Sequence, residues 1–177
     1  MDGVKEVSRT FFGKLFQTYP FGAMYANVDD FDPTAPQVPM AERPEIDRWI
    51  LAERHTLTEQ VTTAYDDYEP TRAGRMIQNF VIDNLSNWHV RLSRKRFWGG
   101  EMDTDKLSAY QTLYTCLLTV SKLMAPIAPF YADRLYTDLT GDANASVHLA
   151  SFPEADSKAI DKELEARMAL AQTLTSM

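Results

Sequence analysis

Four cations, Arg91, Arg94, Lys95 and Arg96, fall within six positions and are followed by Phe97 and Trp98. Guanidinium and ammonium groups at that density suit phosphate oxygens, and an exposed aromatic beside them suits a stacked base. Two amides, Asn84 and Asn87, precede them at helical spacing; such side chains read base edges or bond within their own protein. The background sharpens the signal. The chain carries a formal net charge of −7, yet between Arg72 and Trp98 six Arg or Lys face one acid, Asp83, so this stretch is +5 and the remainder −12. A local block of positive charge on an acidic protein points to a polyanionic partner. The helix macrodipole favours cations at a helix C-terminus by about 0.3–1 kcal/mol, which accounts for one or two of them but not four.

No other set of residues is placed for chemistry. His55, His89 and His148 lie far apart, and no His, Asp or Glu cluster has metal-ligand spacing. There is no glycine-rich phosphate turn and no nucleophile elbow. Cys116, the one cysteine, sits in the apolar run Leu113-Tyr-Thr-Cys-Leu-Leu and reads as core. Trp49 and Trp88 read as core anchors, and Glu53, Asp66, Asp67, Asp133 and Asp138 as solvated faces. No apolar run approaches the roughly 20 residues of a membrane span. The expectation is a soluble, cytoplasmic protein with no membrane contact and no active site of its own.

The elements that must carry the basic block are helical, with no convincing strand pattern. A first helix covers residues 1–27, on Val4, Val7, Phe11, Leu15 and Tyr19, with Pro20 kinking or interrupting it. Residues 28–44 hold four prolines and read as a loop. Pro44 opens a second helix, with Glu45 and Asp47 favourable at its start and an apolar stripe from Ile46 through Val61 to Tyr65 and Tyr68. A third begins at Pro70. In it Ile77, Val81, Leu85, Trp88 and Leu92, at spacings of 4, 4, 3 and 4, form the core stripe, while Asn84, Asn87, Arg91, Lys95 and Trp98 take another face. Asp103 or Thr104 caps a fourth, whose seam is Leu107, Tyr110, Tyr114, Leu117, Ser121 and Met124. A fifth runs from Pro129 to Leu139, with Gly141 placed as its C-terminal cap, and a sixth begins near Ser157. Short loops between helices make an all-α bundle the expected fold. The bundle is assigned to residues 1–156. Residues 157–177 start a helix that keeps its spacing to the end without a stop signal, so the chain reads as a piece of a longer protein.

Several strings resemble the isoleucyl-tRNA synthetase family, in the helical anticodon-binding domain that follows its catalytic domain. They are Tyr25-Ala-Asn-Val-Asp, Arg48-Trp-Ile-Leu, Asp83-Asn-Leu-Ser-Asn-Trp-His-Val-Arg-Leu-Ser-Arg-Lys-Arg-Phe-Trp, Leu123-Met-Ala-Pro-Ile-Ala-Pro-Phe and Ser146-Val-His-Leu. The resemblance covers nearly the whole chain, and the basic string is long and specific. The family's two catalytic signatures, His-Ile-Gly-His and Lys-Met-Ser-Lys-Ser, are absent. Two positions depart from the pattern: His89 stands where the family usually has Tyr, and Pro20-Phe-Gly22 interrupts a first helix that is usually unbroken.

The resemblance implies a non-catalytic tRNA-binding domain. Its partners would be tRNA(Ile) and the rest of the parent chain, and the piece itself would be a monomer. The parent would use ATP and Mg²⁺, with zinc as a further candidate, and none of these would bind here. Arg91, Arg94, Lys95 and Arg96 are the expected phosphate contacts, all exposed and unpaired by acids, and Trp98 the stacking or framing residue. Asn84 and Asn87 are candidates for base reading. Two rivals are a helical protein-interaction module with a basic stripe and the equivalent domain of valyl-tRNA synthetase.

Overall fold

The computed structural model describes residues 8–175. Val4 and Val7 of the first apolar pattern lie outside them. Among the described residues the regular structure is entirely helical, as expected of an all-α bundle. A π-helical turn, Ser8–Phe12, leads into α1, Gly13–Val28. Then come α2, Glu45–Asp66, and a rod made of α3, Pro70–Asn79, a π-helical segment, Phe80–Val90, and α4, Arg91–Trp98. The bundle is completed by α5, Thr104–Met124, α6, Pro129–Thr140, and α7, Lys162–Thr175. No helix among these is long and apolar enough to cross a membrane.

Local signals set most boundaries. Pro44 stands immediately before α2, where a missing N–H costs nothing. Asp103 caps α5 by accepting from the Lys106 amide at 2.7 Å. Gly141, at φ 68°, ends α6 in the left-handed conformation that glycine adopts most readily. Pro20 lies inside α1 and does not interrupt it, against expectation. Its ring and Phe16 are both exposed, so the disturbed stretch of backbone lies towards water rather than in the core. Two residues on, Gly22 allows close approach: an added Cβ would stand 2.8 Å from Leu113 of α5. Tyr68 does not extend the α2 stripe either. It is almost fully exposed at φ 59°, in the turn that reverses the chain into α3.

The core is centred on α2 and α5, with Trp49, Ile50 and Val61 from the first and Leu113, Cys116, Val120 and Leu123 from the second all buried. Burial pushes the Cys116 thiol up to about 12, so it packs as a small apolar group.

The rod departs most instructively from the expected pattern. Ile77, Val81 and Leu85 are buried, but Trp88 is half-buried and Leu92 is 56% exposed. Ala73, Ile77, Val81, Leu85, His89, Ser93 and Phe97 are buried, one every four residues, with Phe80 and Val90 buried beside that line. In an α-helix a step of four overshoots a full turn by about 40°. The wider π segment undershoots instead, so the two drifts offset and a four-residue repeat stays on one face. Spacings of 4, 4, 3 and 4 assume α winding throughout; they place Leu92 in the core wrongly, while Trp88 packs against the core from its edge.

Candidate nucleic-acid interface

The same four-residue repeat makes the outward line of the rod: Arg75, Asn79, Asp83, Asn87, Arg91 and Lys95 all face away from the core. Arg91, Arg94 and Lys95 therefore reach solvent, and none has an acid within ion-pair distance among the described residues. Trp98, 57% exposed, stands at the end of the same helix before Gly99 and Gly100. Three available cations beside an accessible indole are suited to phosphates and one stacked base.

Arg96 does not join them. Its side chain is only 15% exposed and faces the bundle, correcting the expectation of four free cations. Its Nη1 and Nη2 donate to the two oxygens of Asp47 at 2.8 and 2.7 Å, while Nε donates to Asp105 Oδ2 at 2.9 Å. Nη2 also reaches the Asp105 carbonyl at 2.8 Å, and Nη1 reaches Ser93 Oγ at 3.4 Å. The physical reason is its place in the repeat: Arg96 is next to buried Phe97 and three residues past buried Ser93.

Asp47 is the centre of this arrangement. Besides Arg96 it accepts from His89 Nε2 at 2.9 Å and from Ser108 Oγ at 2.6 Å. Burial opposes its ionisation most strongly, but bonds from Arg96, then His89 and Ser108, together outweigh it and hold the carboxyl well below the usual carboxylate range. Burial likewise works against the Arg96 charge, and the Asp47 and Asp105 carboxylates overcome it, so the guanidinium pKa is raised. Because a carboxylate can only accept, His89 carries its proton on Nε2 towards Asp47. Its Nδ1 has no hydrogen-bond partner among the described residues. His89, which the sequence marks only as a departure from a family Tyr, is thus a buried member of the clamp. Nothing local in the sequence marks these partners, since Asp47 lies 42, 49 and 61 positions from His89, Arg96 and Ser108.

The two asparagines also separate. Asn84 is half-buried, and its Oδ1 accepts from Gln172 of α7 at 3.2 Å, which ties α7 to the rod. Asn87 lies on the outward line and accepts from Lys14 Nζ at 3.0 Å. Among the acids, Glu53 is not on a solvated face: it is half-buried, and burial followed by the nearby Glu165 raises its pKa. Asp133 instead accepts from Ser146 Oγ and the Val147 amide, fixing the stretch of chain after α6.

The family profile described as "Anticodon-binding domain of tRNA ligase" matches residues 47–177. The whole chain is 66% identical to part of the isoleucine–tRNA ligase of Bacteroides thetaiotaomicron. Over 99% of its length it is 63% identical to that of Porphyromonas gingivalis, and over 98% it is 43% identical to that of Streptomyces avermitilis. The chain spans 15–16% of the length of these relatives. An all-helical bundle with an outward basic helix end, matched by that profile over most of its length, belongs to the anticodon-binding domain family of tRNA ligases.

Proposed function

We propose that this bundle is the tRNA-binding part of an isoleucine–tRNA ligase acting in the cytoplasm on tRNA(Ile). It holds the anticodon-side arm so that the acceptor end reaches a catalytic centre elsewhere in the parent chain. Its contribution is orientation, which lowers the entropic cost of bringing the tRNA terminus to the activated amino acid. Arg91, Arg94 and Lys95 neutralise phosphates, Trp98 stacks on or frames a base, and Asn87 is the amide available to RNA. Asn84, engaged with α7, serves the bundle. The domain acts as one copy per parent chain. ATP and Mg²⁺ belong to the parent's activation step, and zinc, where the parent holds it, also lies outside this bundle. The described residues include no group of three or more His, Cys, Asp or Glu able to hold a metal.

The observation that carries this reading is the trio of exposed cations beside Trp98, with no acid in ion-pair distance among the described residues, on a chain of net charge −7. The test replaces Arg94 and Lys95 by Ala in the full-length parent. Binding of tRNA(Ile) should weaken, and its dependence on log salt should flatten. Each phosphate that is no longer neutralised should remove about 0.9 from the slope on duplex RNA, or about 0.7 on single strands. Isoleucine-dependent ATP–pyrophosphate exchange should be unchanged. Unaltered tRNA affinity in the double variant would refute the assignment and leave the patch to protein contact.

A further inference from the structure

We infer that Asp47 and Arg96 form a positioning pair for RNA binding: the buried carboxylate sets the rotation and order of α4, so that Arg91, Arg94 and Lys95 face outward. Arg96 itself makes no phosphate contact. This rests on the reading of α4 as the RNA-contacting element.

Donor counting carries the second half. A guanidinium has five N–H donors. In Arg96 the one on Nε goes to Asp105 Oδ2, those on Nη1 to Asp47 Oδ1 and Ser93 Oγ, and those on Nη2 to Asp47 Oδ2 and the Asp105 carbonyl. None is left for a ligand. Asp47 is saturated in the same way. Its two oxygens accept four bonds, from His89, from Arg96 twice and from Ser108, and its side chain is 0% exposed. That single carboxylate joins α2 to the π segment, α4 and α5.

The first half follows from how little else holds this helix end. α4 has eight residues and is followed by Gly99 and Gly100, and among the described residues neither glycine's amide makes a backbone hydrogen bond that closes it. Such a terminus frays unless tertiary contacts hold it. Phe97, buried against Phe21 and Tyr110, supplies one, and the bidentate Arg96–Asp47 pair supplies the directional one. Arg94 and Lys95 immediately precede Arg96, so its orientation sets theirs.

The sign of a charge change separates positioning from electrostatics. Asp47→Asn makes the protein one unit more positive near the patch, so charge alone would tighten tRNA binding; a lost clamp would weaken it. Arg96→Lys keeps the charge but loses the planar fork, so a simple phosphate contact would survive and a positioning pair would not.

In the full-length parent, both variants should bind tRNA about tenfold more weakly, through a raised KM for tRNA with kcat at saturating tRNA and isoleucine activation preserved. Asp47→Asn combined with Arg96→Lys should be no worse than the weaker-binding single variant, because both break one clamp. Circular dichroism at the assay temperature checks that each variant is folded. If Asp47→Asn does not fold, Arg96→Lys at the partly exposed edge of the clamp still decides. Wild-type or tighter tRNA binding by a folded Asp47→Asn or by Arg96→Lys would overturn the inference, as would additive losses in the combined variant. The Arg94→Ala, Lys95→Ala protein in the same assay separates the two failures. If it binds tRNA normally, the RNA-contact reading falls and this inference with it. If it binds weakly while the clamp variants bind normally, only the positioning role falls.

Discussion

Arg43, which is buried, and Arg96, which is half-buried, are held differently in two regions of the molecule. In the proline-rich loop before α2, Arg43 is surrounded by neutral acceptors. Its Nε donates to the Val38 carbonyl at 3.0 Å, Nη1 to Thr112 Oγ1 at 2.8 Å, and Nη2 to Gln37 and Gln111 at 3.2 Å each. No acid lies within ion-pair distance of it among the described residues, and burial lowers its pKa. At the end of the rod, Arg96 lies between two carboxylates and its pKa is raised. The first arrangement orders a segment that cannot order itself. Prolines 33, 36, 39 and 44 offer no N–H, so Arg43 and Gln111 of α5 supply donors to the Val38 and Pro36 carbonyls, and Gln111 accepts from the Val38 amide. The second fixes an element that is already helical. A cation's place in a basic run therefore does not say whether it serves a ligand; the count of donors already engaged does.

That contrast can be broken by experiment. Asp47→Ala should have the largest effect, about 3–5 kcal/mol of unfolding free energy in urea titration, because it leaves a guanidinium and a buried imidazole without their acceptor. Arg43→Met should cost less, about 1–3 kcal/mol, since the groups it abandons are neutral oxygens. Equal losses would mean that packing rather than the carboxylate distinguishes the two regions.

A smaller effect concerns acid. The Asp47 pKa is depressed in the folded chain, so its contribution is fully present above the unfolded carboxylate value of about 3.9 and is lost as pH falls through the lower folded value. Urea midpoints measured from about pH 5 to pH 3 should fall less steeply in Asp47→Asn than in wild type. Arg43→Met should keep the wild-type slope. An unchanged slope in Asp47→Asn would show that other carboxylates dominate acid unfolding.

Much of the helical framework was legible because local chemistry sets it. Pro44, Asp103 and Gly141 mark helix ends through a missing donor, a side-chain cap and a left-handed backbone. Ile77, Val81 and Leu85 mark a buried face. The site was legible only in outline. Arg91, Arg94, Lys95 and Trp98 are exposed as expected, but the inward turn of Arg96 depends on Asp47 and Asp105, and Asp47 is 49 positions away. Leu92 faces solvent and Trp88 stands at the edge of the core because a period of 3.6 does not describe a rod that is partly wound more widely. A signal was available in the unbroken four-residue repeat of Ala73, Ile77, Val81 and Leu85, which continues to Phe97.

The π winding between Phe80 and Val90 brings α4 to the coarse bearing at which Asp47 can hold Arg96. Those eleven residues turn through a smaller angle than an α-helix of equal length would. Wound as α throughout, the same stretch would carry α4 roughly half a turn further round the rod axis. Lys95 would then point to the interior and Phe97, two residues on, to solvent. The coarse heading of the basic end is therefore stored in the backbone upstream of it, in a segment that carries no Arg or Lys of its own, and the Asp47–Arg96 pair locks the helix end at that heading. A helix of the same composition and length, differing only in how tightly it is coiled, would present an apolar face in place of a cationic one.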